Sequence, residues 1–200
     1  MADPVPLIYL VRHGETPWSL SGQHTGRTDL AMTEKGERAA QAVAGRLKGI
    51  TFGKVFSSPL QRAFRTCELA GFGDVAERDP DLFEWDYGKY EGVLTRDIHK
   101  EQPDWNLFKH GAPGGEDAAA VGARADRAIA RIRAVGQNVA VFSSAHFLRV
   151  FGARWLGLPP TGGSLLMLDT ASLSILTYEH HNLDEPVIRV WNDTNHVPKE

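Results

Sequence analysis

Four short segments place cations, an acid, hydroxyls and a histidine where an extended run gives way to a turn. The first is the apolar run Leu7-Ile8-Tyr9-Leu10-Val11, which ends in Arg12-His13-Gly14. The run reads as a buried β-strand, and its carboxyl end would face the crevice where open α/β sheets bind ligands. Arg12 offers a guanidinium fork for a phosphate or carboxylate. His13 offers an imidazole that can act as nucleophile or base near neutral pH. Gly14 lets the backbone turn and come close to a ligand. The second segment, Ser57-Ser58-Pro59-Leu60-Gln61-Arg62, carries Arg62 in the first turn of a helix. The third, Leu82-Phe83-Glu84-Trp85-Asp86-Tyr87-Gly88, sets an acid among aromatic rings. The fourth, residues 141–149, places Ser143, Ser144 and His146 at a strand-to-helix turn. Two arginines, an imidazole, helix N-termini and a carboxyl group suit phosphoryl transfer. The cations and backbone N–H groups would hold the phosphoryl oxygens, and the carboxyl group would protonate the leaving oxygen.

The elements that must position these groups follow from hydrophobic spacing. Residues 14–32 read as one long loop, of the kind that is usually functional in a compact domain. Thr33 is a helix N-cap with Glu34 and Glu37 in the first turn; Ala39, Val43 and Leu47 share one face, and the helix stops near Gly49. Lys54–Ser57 reads as a second strand, with Pro59 as the first-turn proline of the following helix. Residues 80–116 are irregular, with short helices expected near 94–100 and 104–110, and form a lobe over the site. Val121, Ala125, Ala128 and Ile132 mark a helix over 117–135. Asn138–Ser143 is a third strand, followed by a helix through Leu148, Phe151 and Trp155. Ser172–Tyr178 and Val187–Trp191 read as two strands joined by a turn at His180-His181-Asn182. Alternating strands and helices predict a three-layer αβα fold with a mostly parallel central sheet, and a single domain over 1–200.

Composition removes several function classes. The 200 residues carry a net charge of −3, which argues against a nucleic-acid partner. Apolar residues make up 42% and charged residues 24%, as in ordinary globular proteins. No run approaches the roughly 20 apolar residues of a membrane span, and Met1-Ala2-Asp3-Pro4 lacks the plan of a leader, so a cytoplasmic location is expected. The single cysteine, Cys67, can form no intrachain disulfide and reads as core. His180 and His181 show no ligand spacing with carboxylates or cysteine, so a metal site is not expected. Oligomeric state is left open, a homodimer included.

Residues 10–36, LVRHGETPWSLSGQHTGRTDLAMTEKG, resemble the signature of the histidine phosphatase (phosphoglycerate-mutase-like) superfamily. SSPLQRAFRT is similar to its second arginine motif, and LFEWDYGKYEG to its acid motif in the form found in sugar-phosphate phosphatases. LTRDI, the AIARI helix and TYEHHNLDEPVIRVWN resemble a narrower branch of sedoheptulose-1,7-bisphosphatase type. The resemblance implies that His13 attacks phosphorus and becomes phosphohistidine. It implies that Arg12 and Arg62 clamp the phosphoryl oxygens, that Glu84 is proton donor and then base for water, and that no metal or organic cofactor is needed. Ser19, Thr25 and Gly26 fall on positions that line the substrate. His24 and Tyr87 lie in the matching motifs and join the substrate-binding residues, while Arg96 and Arg149 are candidates for a second phosphate or carboxylate.

One departure stands out. Aligned on Phe147-Leu148-Arg149, the family's second catalytic histidine falls on Ser144 and its glycine on Ala145, while His146 matches an additional histidine two places on. A serine keeps one hydrogen bond but no positive charge, a change expected to cost roughly 10²–10³ in turnover. The alternative is that His146 takes the catalytic role. The sequence therefore predicts a metal-independent phosphatase for a small phosphorylated metabolite, a sugar phosphate or bisphosphate, with reduced activity. The competing expectations are a phospho-ligand or protein binding module that has lost efficient hydrolysis, and an isomerase or lyase acting on an unusual anionic substrate.

Overall fold

The computed structural model describes residues 5–198; Met1-Ala2-Asp3-Pro4, on which the expectation of no leader rests, lie outside them. The strands are β1 (Ile8–Arg12), β2 (Lys54–Ser57), β3 (Ala76–Arg78), β4 (Val139–Ser143), β5 (Leu173–Tyr178) and β6 (Pro186–Asp193). The helices are α1 (Pro17–Ser21), α2 (Glu34–Leu47), α3 (Gln61–Leu69), α4 (Thr95–Glu101), α5 (Leu107–His110), α6 (Ala118–Val135) and α7 (Ala145–Trp155). The strands form one sheet in the order β3-β2-β4-β1-β5-β6. Its β3, β2, β4 and β1 members run parallel, while β5 pairs antiparallel with both β1 and β6.

Side chains on successive strand residues point to opposite faces, and the core divides accordingly. Tyr9, Val11, Val55, Ala140, Phe142 and Leu173 pack with Val43 and Leu47 of α2 and Cys67 of α3. Ile8, Leu10, Phe56, Val139, Val141 and Leu176 pack with α6 and α7 through Val121, Ala125, Leu148, Phe151 and Trp155. Each such side chain contributes about 1.5–3 kcal/mol by leaving water. The result is the expected three-layer αβα arrangement with a mostly parallel sheet. Trp85, Tyr87, Trp105 and Phe108 of the irregular 80–116 segment belong to the same core as Ile8 and Leu10. Cys67 is buried and free, and burial pushes its thiol up to about 12. No helix among the described residues is long and apolar enough to cross a membrane.

The expected Thr33 cap forms: its Oγ1 accepts from Gly36 N at 3.0 Å at the start of α2. Asp117, expected inside its helix, instead caps α6, accepting from Ala120 N at 2.8 Å. Several readings need correction. The 14–32 loop contains α1, whose first turn is closed by a reciprocal capping box between Thr16 and Ser19. Pro59 does not open α3; the extended Leu60 intervenes, and the helix begins at Gln61, whose N–H is met by Asp29 Oδ1 at 2.8 Å. Strand β3 was not expected, because Ala-Glu-Arg has no apolar pattern and is extended through its pairing with β2. Gly14 makes its close approach to protein, not to a ligand-facing surface. A Cβ there would run into the Gly36 carbonyl of α2 and the Met32 sulfur.

Candidate active site

β1 and β4 are parallel neighbours with Arg12 opposite Ser143, and β2 ends beside Phe142, so the turns after all three strands open at one edge of the sheet. His13, 4% exposed, is pinned there through its backbone: its N–H donates to Ser143 O at 3.0 Å, and its carbonyl accepts from Ala171 N at 3.0 Å. Its ring Nδ1 lies 2.7 Å from the Gly14 carbonyl. A carbonyl only accepts, so Nδ1 carries the hydrogen and the neutral ring keeps its lone pair on Nε2. Burial, then the charges of Arg62 and Arg12, hold the His13 pKa well below the usual imidazole range.

Arg62 is fully buried. Its Nη1 donates to Thr28 O at 2.9 Å, and its Nη2 to Gly26 O at 2.8 Å and Thr25 O at 3.1 Å. Arg12 donates through Nη1 to the Leu168 carbonyl. The Nε groups of both arginines are buried and find no partner among the described residues. Burial lowers both guanidinium pKa values, but an arginine stays charged. Buried cations with donors left over are costly unless an anion meets them. Ser144, fully buried at the end of β4, adds a third such group, since its Oγ is also without a partner.

Glu84 reaches this edge from the third segment. Ser144 is the N-cap of α7 by backbone conformation, yet its hydroxyl does not cap the helix. The Glu84 carboxylate does: Oε1 accepts from Phe147 N and from Trp85 N, both at 2.8 Å, and Oε2 accepts from His146 N at 3.0 Å. A carboxylate offers about four lone-pair positions. Three are engaged, and the open one is on Oε2.

The sequence pattern of the histidine phosphatase superfamily (branch 1) matches residues 8–194. The chain belongs to that superfamily. It is 41% identical over 178 residues to an acid phosphatase of Mycobacterium tuberculosis, covering 86% of this chain and 87% of the relative. It is 32% identical to the sedoheptulose 1,7-bisphosphatase of Saccharomyces cerevisiae, covering 100% of this chain and 97% of that protein. Among solved structures, an open reading frame of Mycobacterium tuberculosis matches with a TM-score of 0.88 at 37% identity, covering 94% of this chain and 97% of the other. The α-ribazole phosphatase of Shigella flexneri matches with a TM-score of 0.82 at 27% identity, covering 94% and 96%.

In this histidine phosphatase, aromatic and imidazole rings stand beside the charged cluster. Tyr87 Oη lies 2.6 Å from His146 Nδ1. Burial pushes the Tyr87 phenol well above its ordinary range, so it keeps its proton. Burial, then the charges of Arg149, His24 and Arg12, hold His146 well below the imidazole range. A protonated phenol and a neutral imidazole share this one hydrogen bond, which holds the His146 ring in place. The His24 ring lies 4.8 Å from Tyr87 and 6.4 Å from His146, and Phe108 lies 5.5 Å from His146. Arg149 sits 4.6 Å over Phe108, with Nε on Gly163 O at 3.0 Å. Its charge acts on both Arg12 and His146, so it belongs to this neighbourhood. Thr25 and Gly26 contribute carbonyls, through Arg62. Two expected members stay apart. Ser19 spends its hydroxyl on the α1 capping box, and Arg96 is exposed on α4; neither bonds to the cluster among the described residues. Those residues also include no group of three or more His, Cys, Asp or Glu able to hold a metal ion.

The sequence reading missed the supports. Arg124, buried in α6, donates to the carbonyls of Asp81 at 2.6 Å and Phe83 at 3.0 Å, and pairs with Glu116 at 2.7 Å. Glu116 in turn accepts from Asp86 N at 2.9 Å, so α6 braces the acid segment from behind. The available signal was an arginine on the same apolar stripe as Val121 and Ala128. Glu91 was also missed; an acid in an irregular stretch reads like any solvated carboxylate.

Proposed function

We propose that the chain is a metal-independent phosphomonoesterase for a small phosphorylated metabolite, a sugar phosphate or bisphosphate, working through phosphohistidine at His13. The observation that carries this reading is the His13 ring. Its Nδ1 is tied to the Gly14 carbonyl, its pKa is lowered, and beside it the buried Arg62 and the half-buried Arg12 each hold a buried Nε–H without a partner. Nε2 attacks phosphorus and the P–O ester bond breaks. The leaving oxygen takes the proton carried on Glu84 Oε2, where the open lone pair lies. Water then attacks the phosphohistidine, Glu84 takes back a proton, the P–N bond breaks and inorganic phosphate leaves. Arg12 and Arg62 hold the phosphoryl oxygens through both steps, supplying the positive charge that a metal would otherwise bring.

Ser144 gives its hydroxyl to a phosphoryl oxygen in place of a cationic imidazole, and turnover is correspondingly slow. The unpartnered, uncharged Ser144 Oγ is also the observation that favours the second reading, a site that binds the phosphorylated ligand and scarcely hydrolyses it. His146, neutral and held by Tyr87, lines the substrate side rather than supplying charge. The sugar-phosphate preference draws on the sedoheptulose 1,7-bisphosphatase relative, and the phosphatase reading on that and the acid phosphatase relative. A phosphate-release screen over a panel of phosphorylated metabolites tests the reading. Wild type releases phosphate in the presence of a chelator, and His13→Ala does not. Activity that survives His13→Ala, or that a chelator abolishes, would overturn it.

A further inference from the structure

The loop that grips Arg62 is itself held by a carboxylate to which no role has been given. Glu91 Oε1 accepts from Gly26 N at 2.8 Å and from Thr28 N at 3.0 Å. The carbonyls of those same two residues, with that of Thr25, are the acceptors of the Arg62 guanidinium. The loop is thus clamped on both sides, its N–H groups on Glu91 and its C=O groups on Arg62. The surrounding chain reinforces the clamp. Gln23 pairs with Leu94, His24 N donates to Val93 O at 3.1 Å, and Gly92 N donates to His24 O at 2.8 Å. At Gly26 the fit leaves no room for a side chain: a Cβ would lie 2.7 Å from Glu91 Oε2 and within 2.5 Å of the Trp85 carbonyl oxygen.

Resting on the phosphate-site reading above, we propose that Glu91 is a positioning residue for Arg62. It fixes the 25–28 loop so that three carbonyls take three of the four terminal N–H groups of Arg62, leaving Nε and one N–H on Nη1 for a phosphoryl oxygen. The physical need is plain. Three backbone carbonyls can hold a guanidinium in one orientation only if their own peptide planes are fixed. A carboxylate taking the N–H groups of Gly26 and Thr28 fixes them with charge-assisted bonds. Without it the loop relaxes, Arg62 turns with it, and a donor set aimed at one point becomes a diffuse positive charge. Misplacement of that kind costs about 10- to 100-fold where geometry matters.

Inorganic phosphate is the probe, titrated calorimetrically into wild type, Arg62→Ala, Glu91→Ala, the double variant and Glu91→Gln. Wild type binds phosphate, and Arg62→Ala weakens binding at least about tenfold. Glu91→Ala weakens it by about tenfold or more, and that loss disappears in the Arg62→Ala background, because Glu91 acts through Arg62. Glu91→Gln, whose amide oxygen can still accept both N–H groups, stays within about twofold of wild type. Glu91→Asp, with the carboxylate drawn back by one methylene, falls between and serves if the alanine variant does not fold. The proposal is overturned if Arg62→Ala weakens binding while Glu91→Ala and Glu91→Asp do not, or if the Glu91 loss is the same with and without Arg62. If wild type does not bind phosphate, or Arg62→Ala binds it as wild type does, the phosphate-site reading itself fails, and this inference with it.

Discussion

His13 keeps a neutral ring because burial and two neighbouring guanidiniums all oppose a further positive charge. The nucleophile therefore persists into acid, where a free imidazole of pKa about 6.5 would be protonated. The acid limb of kcat/KM consequently lies below pH ~6.5, and a pH–rate profile on the best ester of the panel checks it. Ser144 is the second residue on which the account turns. An imidazolium beside the transferring group in a desolvated pocket stabilises the transition state more than a hydroxyl can. Ser144→His should raise kcat by roughly 10²-fold or more, while His146→Ala raises KM with little change in kcat. Steady-state kinetics decide between the two histidine assignments. If His146→Ala abolishes turnover and Ser144→His changes nothing, His146 is the group that carries charge to the phosphoryl oxygens.

At the scale of elements, the site is a set of strand ends held in place by helices. Arg124 of α6 binds the carbonyls of the acid segment, and Glu84 closes the N-terminus of α7. Arg124→Ala takes from Glu116 its buried cation, leaving it the Asp86 N–H, and removes the donor of the Asp81 and Phe83 carbonyls; it should cost about 3 kcal/mol in urea denaturation. It should also lower kcat more than it raises KM, because Glu84 loses its aim while Arg12 and Arg62 keep theirs. Much of this was legible from the chain alone. β1, β2 and β4 read as strands, α2 carries a readable cap, α6 a readable apolar stripe, and Arg12, His13, Arg62 and Glu84 stand at turns. What escaped has a common physical cause. Strand β3 exists only by pairing with β2, α3 starts late because its first free N–H is met by Asp29 from another loop, and Arg124 and Glu91 act on residues distant in sequence. No local propensity encodes a partner of that kind.

At the scale of the whole molecule, buried imidazoles tie stability to pH. Burial lowers the pKa of His13, His24, His146 and His196 in the folded protein. Below about pH 6.5 the unfolded chain takes up protons that the folded chain refuses, so stability falls as pH drops. His180, raised by the exposed Glu185 beside it, works in the opposite direction, and solvent and salt screen its pair. The melting temperature should therefore decline between pH 7 and pH 5, and saturating phosphate should restore part of the loss by placing negative charge next to His13, Arg12 and Arg62. Scanning calorimetry with and without phosphate checks both statements.

The central claim, that phosphorus passes through His13, is tested most directly by trapping the intermediate. The protein is mixed with a 32P-labelled sugar phosphate, quenched in alkali, where phosphohistidine survives, and digested for peptide mapping. The account predicts an acid-labile, alkali-stable label on the peptide containing His13, absent from His13→Ala and unaffected by a chelator. Label on another residue, or phosphate release by His13→Ala at the wild-type rate, would contradict it.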